Sequence, residues 1–154
     1  RFGRHWRQGH FKIRIRKRAQ LFYEKRLRAL RCDRNASRST TGSRLSDPLA
    51  SAVAALSYES GQNLSAFLVR KEAKDHGTGS RIEGDIEAGQ KVCIIEDTVT
   101  TGGSAKKAID AVLEVGAVPV VVMAIADRED PDAAPFRQEH KVECLVTLSE
   151  IRAL

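Results

Sequence analysis

From residue 47 onward, the hydrophobic positions alternate between helical and extended periodicity. These patterns predict helices over residues 47–61 and 104–115 and strands over residues 65–70, 91–96, 118–126 and 143–148. The run 118–126 is almost entirely apolar, which is typical of a central parallel strand buried on both faces. Strands that alternate with helices indicate an α/β fold, with a parallel sheet and helices on both of its faces.

Polar segments separate these elements and suggest a boundary. Residues 34–46 contain few apolar side chains and predict a linker, and no strand or helix pattern is visible between Tyr23 and Asp47. The first βα unit of the sheet is therefore not evident in the sequence. We expect a basic, diverged N-terminal segment over residues 1–46 and a folded core over residues 47–154. Three further polar stretches predict a long loop, an acidic loop and a terminal turn, over residues 71–84, 127–135 and 149–154.

Charge is distributed unevenly along the chain. Residues 1–44 hold 15 of the 26 Lys and Arg residues and two of the 20 acids, so the rest of the chain is acidic overall. A basic segment of this kind can follow the phosphate backbone of a nucleic acid. An organelle-targeting presequence is also Arg-rich and acid-poor, but the length of the run argues against one. No stretch approaches the ~20 apolar residues that a membrane-spanning helix needs.

The chain contains three cysteines, Cys32, Cys93 and Cys144. Their spacing matches neither a disulfide framework nor a metal site, and we expect no metal ion held by protein ligands alone. Cys93 and Cys144 lie inside apolar strand patterns, so both are predicted to be buried free thiols. This cysteine usage is typical of a reducing compartment, and we expect the protein to be cytoplasmic.

The strongest chemical signal is the segment KVCIIEDTVTTGGS, residues 91–104. An apolar strand ends in Glu96 and Asp97, a turn rich in hydroxyl groups and glycine follows, and a helix is predicted to begin at Ser104. Backbone N–H groups of small residues can reach phosphate oxygens, and a helix N-terminus favours negative charge. The segment lacks the Gly-Lys-Ser/Thr ending of a Walker P-loop. The structural alternative is an ordinary βα turn with Ser104 as the helix N-cap.

This segment resembles the phosphoribosyl diphosphate (PRPP) binding motif of type I phosphoribosyltransferases. Residues 69–84, VRKEAKDHGTGSRIEG, resemble the mobile catalytic loop of orotate phosphoribosyltransferases. The resemblance extends from Asp47 to the C-terminus and is faint over residues 11–33. There Phe22 and Tyr23 match an aromatic pair of the family's orotate pocket, whereas the family's serine-glycine pair is absent.

The resemblance implies that PRPP and orotate react to give orotidine 5′-phosphate and pyrophosphate, a step of pyrimidine (UMP) biosynthesis. The implied catalytic residues are Lys71, Lys74, His76 and Asp97. The implied PRPP contacts are Arg70, Lys71, Lys74, His76, Glu96, Asp97, Thr98, Val99, Thr100, Thr101, Gly102, Gly103 and Ser104. The implied orotate contacts are Thr100, Arg128, Phe22 and Tyr23. The family also implies Mg²⁺ bound mainly through PRPP, and a homodimer in which the loop over residues 70–84 reaches the neighbouring active site.

Residue chemistry supports these roles but leaves alternatives. Carboxylates stabilise the positive charge that develops on ribose, and a cationic loop can close over pyrophosphate and exclude water. However, the cations over residues 70–76 could also be a solvated surface run, and Arg128 could form a surface ion pair with Glu129 or Asp130. The same fold could also serve a catalytically impaired regulator that binds PRPP, or a nucleic acid through residues 1–44.

Overall fold

The computed structural model describes residues 37–40, 46–59, 64–70 and 81–153 of the chain. The strands are β1 (Ser37–Thr40), β2 (Ser65–Val69), β3 (Ile82–Glu83), β4 (Lys91–Val99), β5 (Val118–Asp127) and β6 (Val142–Thr147). The helices are α1 (Ser46–Glu59), α2 (Gly103–Glu114), the 3₁₀ helix Pro131–Ala133, α3 (Ala134–Glu139) and α4 (Leu148–Arg152). The strands form one sheet in the order β3-β2-β1-β4-β5-β6.

Five of these strands run parallel, and each face of the sheet carries a hydrophobic layer. Only the short β3 is antiparallel to its neighbour, β2. Alternate residues of β4 divide between the layers: Val92 and Ile94 pack with α2, whereas Cys93 and Ile95 pack with Ala50 of α1. Successive side chains of a strand point to opposite faces, so α1 and α2 cover opposite faces of the sheet. The predicted α/β fold is therefore confirmed.

Strand β1 lies in the middle of the sheet, where we expected a linker. Its Thr40 is in register with Leu68 of β2 and with Ile95 of β4, so β1 pairs with a neighbour on each side. The linker prediction is therefore wrong for residues 37–40, and β1 with α1 supplies a βα unit ahead of β2. The sequence SRST has no apolar alternation. Pairing through the backbone on both edges stabilises it, and a side-chain pattern does not report such pairing.

The remaining predicted elements are confirmed with shifted ends. Helix α1 begins at Ser46, one residue before Asp47, and α2 begins at Gly103. Strand β4 continues to Val99, so the acidic pair lies within the strand rather than after it. Strand β5 is buried over residues 122–124 and at Asp127, whereas Val118 and Ile125 are more exposed than we predicted.

Four short elements lie wholly or partly where loops and turns were predicted. Strand β3 lies within the predicted long loop, the 3₁₀ helix and the start of α3 lie within the acidic loop, and α4 replaces the terminal turn. Side-chain caps explain the 3₁₀ helix and α4. Asp130 Oδ1 accepts a hydrogen bond from Asp132 N at 3.0 Å, and Thr147 and Glu150 form a capping box. Such local bonds can start a helix too short for a periodic pattern.

The structure describes two of the three cysteines, Cys93 and Cys144. Cys93 is buried and Cys144 is half-buried, and both are free thiols. Cys32 lies outside the described residues. Within the described part of the chain, no helix is long and apolar enough to span a membrane.

Candidate functional site

The acidic pair lies at the carboxyl end of β4, the edge at which parallel sheets bind their ligands. Glu96 is only 4% exposed, whereas Asp97 is half-buried. Asp97 Oδ1 accepts a hydrogen bond from the backbone N of Thr98 at 2.7 Å. This bond orients the Asp97 carboxylate near the carboxyl end of β4, and it leaves the carboxylate reachable from solvent.

The loop from Thr98 to Ser104, which we call the phosphate loop, turns at Gly102. This glycine is the N-cap of α2 and has a φ of 84°, in the left-handed region that L-residues with a side chain avoid. It is buried, and a Cβ at this position would overlap the Phe136 ring of α3. The Gly102 carbonyl accepts from Lys106 N at 2.9 Å, which is the first bond of the helix. Gly102 therefore sets the turn, and Ser104 is not the N-cap.

Helix α2 is held against the sheet by one apolar face. Its buried residues are Ala105, Ala108, Ile109, Ala111 and Val112, as expected for apolar positions at helical spacing. The opposite face is exposed, and the N-terminus of the helix follows directly from the phosphate loop. Backbone N–H groups in the first turn and the helix dipole together favour an anion there.

Arg128 lies beside the phosphate loop, at the end of the neighbouring strand. Its backbone N donates to the Val99 carbonyl at 3.0 Å, which joins the carboxyl ends of β4 and β5. The Val99 side chain is 2% exposed, so this residue supports the loop from below. The Arg128 side chain is exposed, and no ion pair joins it to Glu129 or Asp130. The surface ion pair considered as an alternative is therefore not formed.

A bidentate ion pair anchors the end of β5. Asp127 is 9% exposed, and its two carboxylate oxygens accept hydrogen bonds from Arg137 of α3 at 2.6 and 3.1 Å. The hydrogen bond to Asp127 raises the pKa of Arg137 above its ordinary value, although desolvation opposes this shift. Arg137 therefore stays charged at neutral pH. The pair ties α3, which carries Phe136, to the strand end that carries Arg128.

Arg70 lies at the same edge of the sheet, after β2. The β1 register places Leu68 level with Ile95, so Arg70 is level with Asp97 across two strand spacings, roughly 10 Å. Arg70 Nη1 contacts Glu83 Oε1 at 3.0 Å, and Arg70 N donates to Arg81 O at 2.7 Å. Arg70 and Arg81 therefore meet at the ligand edge of the sheet.

The structure thus brings together Arg70, Glu96, Asp97, the phosphate loop and Arg128. Within the loop, Thr98, Thr101, Gly103 and Ser104 are exposed, Thr100 is half-buried, and Val99 and Gly102 are buried. Five predicted site residues lie outside the described residues: Phe22, Tyr23, Lys71, Lys74 and His76. Their roles stay predictions.

Sequence reasoning missed the residues that support the site. Phe136 packs behind Gly102, and Asp127 and Arg137 anchor the strand end. An isolated phenylalanine in a polar stretch was the one available signal for Phe136. Asp127 and Arg137 are ten residues apart on different elements, so no periodic pattern connects them.

The carboxylates of the site offer oxygen atoms, the ligand type that Mg²⁺ prefers. Asp97 is the accessible one, and the loop adds threonine hydroxyls. Among the described residues, no group of three or more His, Cys, Asp or Glu side chains could hold a metal ion. The donor set fits a Mg²⁺ ion that a phosphate substrate carries with it and that the protein contacts at one or two atoms.

Known proteins resemble this chain in sequence and in fold. No family model matches it. Over 106 residues it is 42% identical to the orotate phosphoribosyltransferase of Rhodopirellula baltica, and the match covers 69% of this chain and 54% of that relative. The chain spans about half the length of the curated relatives it matches.

Solved structures share both the fold and part of the sequence. The orotate phosphoribosyltransferase of Mycobacterium tuberculosis H37Rv in complex with Fe(III) dicitrate superposes with a TM-score of 0.64 at 36% identity, and the match covers 82% of this chain and 71% of that one. A crystal structure of the same enzyme in complex with PRPP gives a TM-score of 0.61 at 32% identity, with coverage of 77% and 66%.

Proposed function

This chain belongs to the orotate phosphoribosyltransferase family, and we propose that it transfers the ribose 5-phosphate of PRPP to orotate. The products are orotidine 5′-phosphate and pyrophosphate, and the reaction is a step of pyrimidine biosynthesis. Resemblance in both motifs supports the proposal, as does the PRPP bound to a solved relative with 32% identity. Both substrates are anions, and the site combines an anion-binding loop with exposed or half-exposed cations.

The observation that carries the proposal is the bond from Arg128 N to Val99 O at 3.0 Å. It holds an exposed guanidinium beside the phosphate loop. A guanidinium matches the geometry of a carboxylate, which orotate carries and the sugar donor does not. The carboxyl ends of β4 and β5 therefore offer one place for a phosphorylated sugar and another for a nucleobase that carries a carboxylate.

On the donor side, we propose that the backbone of the phosphate loop holds the 5′-phosphate of PRPP. Glu96 and Asp97 hold the ribose hydroxyls, and Asp97 is the more exposed of the two. As the bond to pyrophosphate breaks, positive charge develops on the ribose ring. A fixed carboxylate near the ring stabilises that charge more than it stabilises the ground state, which lowers the barrier.

On the acceptor side, Arg128 and Thr100 bind orotate, and Phe22 and Tyr23 complete its pocket. Lys71, Lys74 and His76 neutralise the leaving pyrophosphate, and Arg70 supports the stem of their segment through Glu83. Excluding water matters for this step because an activated ribose would otherwise be hydrolysed. These assignments follow the sequence motifs, and the shared sheet edge of Arg70 and Asp97 supports them.

We further propose that Mg²⁺ enters with PRPP and offsets the charge of its diphosphate. A homodimer is proposed from the family resemblance, with Lys71 acting in the neighbouring active site. A cytoplasmic location is proposed because Cys93 and Cys144 are free thiols, which a reducing compartment maintains.

The test is orotate consumption by the purified 154-residue chain, followed by the ultraviolet absorbance of orotate. Loss of orotate that requires both PRPP and Mg²⁺, and that pyrophosphate reverses, supports the proposal. The control is Arg128→Ala, for which we expect a raised KM for orotate and nearly unchanged PRPP binding by calorimetry. PRPP binding without orotate consumption by the unaltered chain would contradict the proposed activity.

A second candidate function is a regulator that binds PRPP or a nucleic acid. It is favoured by the concentration of 15 Lys and Arg residues in residues 1–44. A salt-dependent gel shift with RNA or DNA that disappears when residues 1–36, which precede β1, are deleted would support it, because phosphate contacts release counterions. The absence of a shift at low salt would leave the enzyme as the better account.

A further inference from the structure

The end of β5 and the residues that follow it form a turn that hydrogen bonds hold at nearly every position. We call residues 127–130 the arginine turn. Asp127 accepts two hydrogen bonds from Arg137, at 2.6 and 3.1 Å, and a third from Glu129 N at 2.8 Å. Arg137 Nη1 also donates to the carbonyl of Asp130 at 3.0 Å. The Arg137 guanidinium therefore bonds to both ends of the turn, Asp127 and Asp130.

Glu129 ties the arginine turn to α4. Its φ is 56°, in the left-handed region, and it is the only non-glycine residue with a positive φ in the part of the chain that the structure describes. Its carboxylate accepts from Ser149 N at 2.6 Å and from Ser149 Oγ at 2.9 Å. Bonds to a charged acceptor are stronger than neutral ones, so this Glu129–Ser149 clamp can hold a conformation that the backbone alone disfavours.

Arg128 is the exception within the turn. Its backbone is held by Val99, but its side chain is exposed and makes no hydrogen bond or ion pair with any described residue. The neighbouring acids are occupied, Glu129 by Ser149 and Asp130 by the backbone N of Asp132 at 3.0 Å. A rigid turn with one unengaged guanidinium presents that group to a ligand at little entropic cost.

We propose that the Glu129–Ser149 clamp and Arg137 are positioning elements for orotate, the ribosyl acceptor. They fix the turn so that Arg128 meets the carboxylate of orotate. This inference rests on the proposed function and assigns acceptor affinity to residues that do not touch the acceptor. The clamp joins the turn to α4 and makes no bond to the phosphate loop itself. The backbone bond from Arg128 N to Val99 O joins the turn to that loop, and it does not involve the clamp side chains. Its loss therefore affects the acid acceptor more than the sugar phosphate donor.

Three variants of the full chain test the clamp. Glu129→Ala removes both bonds of the clamp. Ser149→Ala, at an exposed position, removes the Oγ bond of the clamp and the contact of Ser149 Oγ with Thr147 Oγ1 at 3.0 Å, and it leaves the backbone bond. Asp132→Asn is the control, because it removes a nearby exposed acid whose carboxylate does not hold the turn. Initial rates are measured with orotate and PRPP varied in turn, together with thermal unfolding midpoints. We expect KM for orotate to rise roughly tenfold in Glu129→Ala and less in Ser149→Ala, with KM for PRPP within about twofold.

Combination with Arg128→Ala separates positioning from general damage. If the clamp acts through Arg128, adding Glu129→Ala to Arg128→Ala raises KM for orotate no further, whereas independent effects would multiply. Multiplied effects, or equal rises in KM for both substrates, would overturn the inference. An active unaltered chain with an unchanged KM for orotate in both clamp variants would overturn it while the proposed function stands. An unaltered chain that never consumes orotate would overturn both.

Discussion

Replacing Gly102 by alanine tests how the phosphate loop is built. Gly102 has a φ of 84° and is buried against Phe136, so the added methyl group meets two obstacles. The left-handed conformation costs a residue with a Cβ about 1–2 kcal/mol. The added Cβ would overlap the Phe136 ring and would lie 3.0 Å from the Phe136 Cβ. This overpacking adds about 1–3 kcal/mol. The expected loss is therefore about 2–5 kcal/mol.

Two glycines of the same chain provide controls for the two obstacles. Gly89 has a φ of 80°, and a Cβ added there would have no heavy atom within 4 Å, so Gly89→Ala reports the backbone cost alone. Gly103 lies in the first turn of α2, and the nearest neighbour of an added Cβ would be Thr101 Oγ1 at 3.7 Å. Gly103→Ala is expected to be neutral, or stabilising by about 0.4–1 kcal/mol, because alanine favours the helix.

Thermal unfolding and PRPP calorimetry are the assays. In a chain of this size 1 kcal/mol shifts the unfolding midpoint by about 2–4 °C, so Gly102→Ala is expected to lose about 4–20 °C. Its PRPP affinity should fall as well, because the loop must move to relieve the overlap. If Gly102→Ala unfolds at the same temperature as Gly89→Ala, Phe136 does not buttress the loop and the steric part of the reasoning is refuted.

Three further predictions concern the cationic segment over residues 70–84, the end of β5 and the end of α1. Lys74→Ala should lower turnover strongly while calorimetry still detects most of the PRPP binding, and unchanged turnover would remove this lysine from the mechanism. Asp127→Ala should cost about 1–3 kcal/mol in urea unfolding, because it leaves the Arg137 guanidinium with only the Asp130 carbonyl as an acceptor. The Arg137 pKa is raised, so the stability gained from its charge is complete below its ordinary pKa and is lost only as pH rises through the raised value. The effect of Asp127→Ala should consequently be the same at pH 7 and at pH 9, and a large difference would contradict the assignment. Ser57→Ala should cost about 1–3 kcal/mol, because the buried Ser57 Oγ accepts from Leu64 N at 3.0 Å; an unchanged midpoint would show that another group replaces it.

The elements found from the sequence share one property: their signal is local. Strand β4 is a continuous apolar run, and α2 places Ala108 and Val112 on one face at helical spacing. The acidic pair and the small residues after it are adjacent in the chain. A ligand edge could be predicted because the carboxyl ends of parallel strands meet at one side of a sheet.

The elements that were missed depend on partners far away in the chain. Strand β1 is polar, and only its pairing with β2 and β4 makes it the centre of the sheet. The short helices after β5 and β6 follow from individual caps rather than from periodicity. Backbone hydrogen bonds carry no sequence signature, so propensity and pattern cannot locate a strand that depends on them.

The site divides in the same way. The residue types that suit PRPP and orotate can be read in order along the chain, because each motif is contiguous and its chemistry belongs to the side chains themselves. The position of Gly102 against Phe136, the grip of Arg137 on Asp127 and the Glu129–Ser149 clamp required the folded chain. They join residues that are 34, 10 and 20 positions apart. Contacts between different elements depend on how helices and strands pack, and that packing decides which cation is engaged and which is left for a ligand.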